Sequence, residues 1–173
     1  MRKKENNYAY LDGANLHQGI ASLGWRLDYR RFRVWLSEKY GVQKAYLFIG
    51  LIPKYAELYK HLQEAGYTLV FKEVIYDDAG KPKGNCDADL VLQAVCDTYE
   101  KKCNDVVIIT SDGDYACLVR FLMKKMGRVF VLSPHPVHKC SILLKRTSVH
   151  ISYLNDQRRI LENTSKRKSP RQR

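Results

Sequence analysis

Apolar residues recur along this chain with two periods. Tyr8-Ala9-Tyr10-Leu11 is a short apolar run that stops at Asp12-Gly13, which predicts a strand ending in a turn. A short helix is expected over 15–23. Asp28 has the chemistry of a helix N-cap, and Phe32, Trp35, Leu36 and Tyr40 follow at helical spacing up to Gly41, a C-terminal stop. Residues 44–50 read as a buried strand. Residues 54–66 read as a helix with Leu58, Leu62 and Ala65 on one stripe, and 68–75 as the next strand. A loop is expected over 76–84, where Asp77-Asp78, two glycines and Pro82 interrupt the pattern. A helix over 87–101, with Leu90, Ala94 and Val95 inward, leads into a β-branched buried strand at 105–110. A helix over 114–125, a strand over 128–132, a helix over 137–146, a strand over 149–153 and a short charged helix over 155–162 complete the pattern.

Strands alternating with helices across short connections predict an α/β fold. The expected architecture is a Rossmann-like parallel sheet, order near 3-2-1-4-5, with helices on both faces. The chain has 173 residues, 45% of them hydrophobic, enough for one domain with a real core. The expected division is a basic arm over 1–7, a folded domain over 8–162 and a disordered basic tail over 163–173. No apolar run approaches the length of a membrane span, and no apolar stretch follows the basic N-terminus, so neither a membrane partner nor a secretory leader is expected. The five cysteines, Cys86, Cys96, Cys103, Cys117 and Cys140, form no CxxC pair, which suits a reducing, cytoplasmic setting.

Net charge is +12, with +2 on residues 1–7 and +5 on residues 165–173, which leaves +5 on the body. A basic body with basic arms points to a polyanion, nucleic acid foremost, although basic tails can also serve solubility alone.

Against this basic background, acids gather where such sheets build their sites, beyond the carboxyl ends of the strands. Asp12 follows the first strand. Asp112 and Asp114 follow the fourth, in Thr110-Ser111-Asp112-Gly113-Asp114. Asp87 and Asp89 open the helix before it. If the first and fourth strands are neighbours, roughly 4.8 Å apart, Asp12 and Asp112 sit side by side. Carboxylates that close repel, and a cation relieves them; oxygen ligands select Mg²⁺ or Mn²⁺. Each acid also has a local alternative: Asp12-Gly13 and Asp112-Gly113 as turns, and Asp87 and Asp114 as N-caps. Two helical residues two apart face different sides, so Asp89 is the weakest member.

Three segments in this order resemble the NYN domain family of PIN-like nucleases: Tyr10-Leu11-Asp12-Gly13-Ala14-Asn15-Leu16, Lys83-Gly84-Asn85-Cys86-Asp87-Ala88-Asp89-Leu90, and Ser111-Asp112-Gly113-Asp114-Tyr115. The resemblance runs over roughly residues 8 to 155. It implies a PIN-like fold and metal-dependent ribonuclease activity. It carries Asp12, Asp87, Asp112 and Asp114 over as catalytic, metal-site residues, with Asn15 as a nearby polar group and Asp89 as a softer acidic position. Cys86 stands where many relatives have an aliphatic residue. Asp12 and Asp112 are the expected direct ligands of Mg²⁺ or Mn²⁺, with Asp87 and Asp114 ligating or orienting water. Asn15, Asn85 and Ser111 are candidates to bind that water or the phosphate.

Further candidates surround this set. Lys83, with Lys81 beside it, is placed to meet phosphate, and Arg120 and Lys124 are weaker choices set against a solvated helix face. Trp25, Tyr55 and Tyr59 could stack on bases or belong to the core. His135, His138 and Cys140 loosely suggest zinc at poor spacing. No P-loop, GxGxxG or nucleophile elbow occurs. Asp12-Gly13-Ala14 lacks the second acid that a phosphatase with an aspartate nucleophile needs. The leading expectation is an endoribonuclease acting on single-stranded or structured RNA. The alternative is a non-catalytic RNA-binding or protein-interaction module on the same fold. A homodimer is compatible with either.

Overall fold

A computed structural model describes residues 5–73, 75–76, 82–83 and 86–164. Six strands form one parallel sheet: β1 (Asn7–Asp12), β2 (Val42–Leu51), β3 (Thr68–Glu73), β6 (Val106–Ile109), β7 (Val129–Ser133) and β8 (His150–Tyr153). Their order is β3-β2-β1-β6-β7-β8, so the expected order holds and the last strand extends it. Two short strands, β4 (Ile75–Tyr76) and β5 (Pro82–Lys83), pair antiparallel in the segment expected to be plain loop.

Strand order reverses between β1 and β6, and right-handed crossovers therefore place helices on opposite faces on either side of that junction. On one face α1 (Gly13–Ser22), α2 (Tyr29–Tyr40) and α3 (Ala56–Glu64) pack, with α7 (Arg158–Leu161) returning to them. On the other lie α4 (Asp87–Tyr99), α5 (Ala116–Lys125) and α6 (Ile142–Lys145). The period-2 alternation of β1 feeds both layers: Ala9 and Leu11 enter the first core, Tyr10 the second.

Several boundaries move for physical reasons. Asp28 does cap α2, accepting from the Arg31 amide, and Gly41 ends it in the left-handed region at φ 63°. Helix α1 begins at Gly13 rather than residue 15, because Asp12 itself is its cap. Pro53 opens a 3-10 turn over Pro53–Tyr55, which rotates the following helix: Leu58 is 46% exposed, and Tyr59 is buried in its stead, its hydroxyl donating to the Gly50 carbonyl. The expected helix over 137–146 divides into a 3-10 turn at Val137–Lys139 and α6, which Ser141 caps anew. The helix expected over 155–162 likewise splits into a 3-10 turn at Leu154–Gln157 and α7. Trp25 is 4% exposed and donates its indole N–H to Asn155 at 3.2 Å, so it packs rather than stacks on bases.

The described residues next to the chain ends are tied to the fold. Asn6 and Asn7 hydrogen-bond to Lys102 and Tyr40 carbonyls, and the Asn163 amide donates to Arg26. Residues 1–4 and 165–173 lie outside the described residues.

Gly13 is needed for close approach rather than for a turn. A Cβ there would lie 2.6 Å from the Phe48 carbonyl and against Ile49. That contact seats the start of α1 on β2. Gly13→Ala is expected to destabilise the fold by about 1–3 kcal/mol, read as a lower denaturant midpoint; an unchanged midpoint would contradict this packing.

Candidate active site

Asp12 lies at the carboxyl end of β1, one residue past the Leu11–Ile109 pairing with β6. One carboxylate oxygen accepts from the Asn15 amide at 3.0 Å and caps α1. The other accepts from the Thr110 hydroxyl at 3.3 Å. Burial holds this carboxyl above the usual range, and the charges of Asp87 and Asp112 push the same way against those two hydrogen bonds. Thr110, wholly buried, also accepts the Asp112 amide at 3.2 Å, so one hydroxyl ties both acids together.

Asp112 caps a 3-10 turn over Gly113–Tyr115, accepting from the Asp114 amide at 3.0 Å. The helix proper starts only at Ala116, so Asp114 sits in the turn rather than capping α5. Asp87 is the first residue of α4, behind Cys86 as cap, where the positive end of the helix dipole favours a carboxylate. It accepts a short hydrogen bond from the Tyr115 hydroxyl. Tyr115 is 1% exposed; burial, with the charges of Asp12 and Asp87, pushes its phenol far above the normal range and makes it a fixed donor. Burial likewise pushes the Cys86 thiol up to about 11, so it is no thiolate ligand at neutral pH.

The outcome is a trio. Asp87, Asp112 and Asp114 each present a carboxylate oxygen within 4.8 Å of the others. Asp12 borders this trio without joining it. Asp89 turns aside and pairs with Lys72 at 3.1 Å. Hard oxygen donors at this spacing, with Asp12 adding charge, fit an ion such as Mg²⁺ or Mn²⁺. Among the described residues no other group of His, Cys, Asp and Glu converges this way, so His135, His138 and Cys140 do not assemble a zinc site.

The neighbouring polar candidates form a second cluster. Asn15 accepts from both the amide and the hydroxyl of Ser111, at 2.9 and 2.7 Å, and His135 meets that hydroxyl at 2.6 Å. Lys83 lies in β5; Lys81 and Asn85 lie outside the described residues. Arg120 and Lys124 are exposed on α5, and Lys124 is about 12 Å along the helix from its start. Two supports escaped the sequence reading. Tyr115 entered only as the last residue of the Ser111–Tyr115 segment, with no role of its own. Thr110 looked like the last residue of a strand.

The NYN domain model matches residues 8–154. No curated protein matches the sequence. A crystal structure of a protein of unknown function from Vibrio parahaemolyticus superposes with a TM-score of 0.75 at 21% identity, covering 93% of this chain and 98% of that one. That likeness supports the fold. The chain therefore belongs to the NYN domain family, whose fold is that of the PIN-like nucleases.

Proposed function

We propose that this chain is a divalent-metal-dependent endoribonuclease that hydrolyses RNA phosphodiester bonds. The observation that carries the reading is the Asp87, Asp112 and Asp114 trio, three carboxylates within 4.8 Å at the sheet's switch point. These three residues would hold Mg²⁺ or Mn²⁺, and Asp12, close enough to feel the charges of Asp87 and Asp112, would add negative charge. Such an ion supplies an activated water and offsets charge on the phosphate oxygens. Tyr115 orients Asp87, and Thr110 holds Asp12 and the Asp112 backbone in register. Asn15 and Ser111 present polar groups beside the trio, and Lys83 and Arg120 remain candidates for the phosphate backbone. The net charge of +12 would gather the polyanion around this acidic centre. No helix among the described residues is long and apolar enough to cross a membrane.

Cleavage of labelled single-stranded and structured RNA should require Mn²⁺ or Mg²⁺ and stop in EDTA. Asp87→Asn and Asp112→Asn should each lower the rate about 100-fold or more. Tyr115→Phe should weaken divalent-ion binding about 10-fold, measured by calorimetry. Cleavage in EDTA, or full activity in both aspartate variants, sinks the reading; RNA binding without any cleavage favours the non-catalytic module.

The Asp12 carboxyl supplies a test without substrate. Its folded-state pKa is raised, so folding favours the protonated form. That contribution is fully present below the ordinary aspartate value and is lost as pH rises through the raised one. Asp12→Asn keeps the capping oxygen and removes the charge. In EDTA at pH 7 its Tm should exceed the parent's by about 2–4 °C, and the difference should shrink on acidification. Equal melting temperatures from pH 4 to 8 would argue against charge crowding at this position.

A further inference from the structure

We infer that His135 is a positioning residue that acts through Ser111 to aim the Asn15 carboxamide N–H groups into the acidic cleft. The inference rests on the nuclease reading for its purpose, but its geometry stands separately.

The direction of every proton in this cluster follows from one fixed donor. The Ser111 backbone N–H points at the Asn15 side chain at 2.9 Å, and a backbone amide can only donate. The Asn15 atom facing it is therefore the carbonyl oxygen, which settles the orientation of the amide. The Ser111 hydroxyl lies 2.7 Å from the same oxygen and has one proton; two oxygen lone pairs at that distance would repel, so the hydroxyl donates to Asn15. Its 2.6 Å contact with His135 Nδ1 must then be made with the proton on the histidine. His135 is thus the Nδ1–H form, and the sequence of donors runs His135 to Ser111 to Asn15. Burial, with the charge of Lys139, lowers the His135 pKa and favours the neutral ring.

The histidine is held for this purpose from several sides. It stands between Pro134 and Pro136, whose rings limit the backbone. Its carbonyl accepts the Ser133 hydroxyl at 2.7 Å. Its loop presses on α1 at Gly19, where a Cβ would fall 2.8 Å from Pro134 and 3.0 Å from His135 Nδ1. The loop after β7 is therefore seated against the helix that carries Asn15.

With its oxygen committed twice, Asn15 has only its NH₂ left. No acceptor meets that group among the described residues, and no buried side-chain nitrogen there lacks a partner, so the group faces solvent. Asn15 is also the residue whose backbone amide caps Asp12. Its two side-chain N–H donors are left for an outside acceptor, and an anionic phosphate oxygen is the acceptor they suit.

The test combines a double-mutant cycle with a spectroscopic readout. His135→Ala should lower the turnover of Mn²⁺-dependent RNA cleavage about 10-fold. His135→Asn, which keeps an N–H near the Nδ1 position, should restore most of it. In an Asn15→Ala background, His135→Ala should have no further effect. An equal loss in both backgrounds, or no rescue by asparagine, overturns the positioning role. In the parent protein, ¹⁵N resonances should report His135 as the Nδ1–H tautomer, and the Asn15 side-chain amide signals should shift in His135→Ala. An Nε2–H tautomer overturns the relay whatever the activity. If the parent cleaves no RNA, the nuclease reading fails by itself, and the tautomer and amide signals still decide the relay.

Discussion

Mutual repulsion among carboxylates at the β1–β6 junction governs how the rest of this edge is built. Four aspartates reach one small region of a sheet whose strands are only about 4.8 Å apart. Three of them are held there by donors, while Asp114 stands exposed on the turn. Asp12 has the Asn15 amide and the Thr110 hydroxyl, Asp112 the Asp114 amide, and Asp87 the Tyr115 hydroxyl and the start of a helix. Hydrogen bonds to charged groups contribute about 1.5–3 kcal/mol each and work against the crowding. The site is thus held open by its supports and made favourable for a cation, which is the arrangement a metal-dependent hydrolase needs.

Those supports come from the core, which links packing to chemistry. Tyr115 belongs to the layer formed by Leu90, Ala94, Leu118 and Val119, so the burial that anchors α4 and α5 to the sheet also points its hydroxyl at Asp87. Gly13 does the same work on the opposite face by letting α1 start against β2, and the cap on α1 then orients Asp12. A change in either layer would therefore be felt at the acids without touching them.

The Asn15, Ser111 and His135 cluster adds a complementary element. The trio is all acceptor, whereas Asn15 contributes donors whose direction is set by a backbone amide. A phosphodiester bears negative oxygens that a purely acidic site would repel. Under the proposed reading, the Asn15 donors together with the positive body would let one edge meet both a cation and an anion.

Local pattern alone determined much of this protein. Short apolar, β-branched runs marked all six strands of the sheet, and their alternation with helices implied a parallel sheet. Asp28 and Gly41 marked the ends of α2 by chemistry that acts within a few residues. The acids were visible because each follows a strand or opens a helix. Tertiary structure decided how they group. Sequence reasoning paired Asp12 with Asp112 from strand adjacency, and Thr110 does tie the two together; the three carboxylates that come within 4.8 Å of one another are those of Asp87, Asp112 and Asp114, from a helix start and a 3-10 turn. That convergence depends on how α4 and α5 pack, which no single segment encodes. The same holds for Leu58, turned outward by a 3-10 turn, and for Trp25, buried in the core with its N–H held by a residue 130 positions away. His135 was legible only as a loose zinc candidate, because its partner Ser111 lies 24 positions away at the end of another strand. Short-range chemistry is written in the order of residues, whereas the direction of a side chain is set by what folds against it.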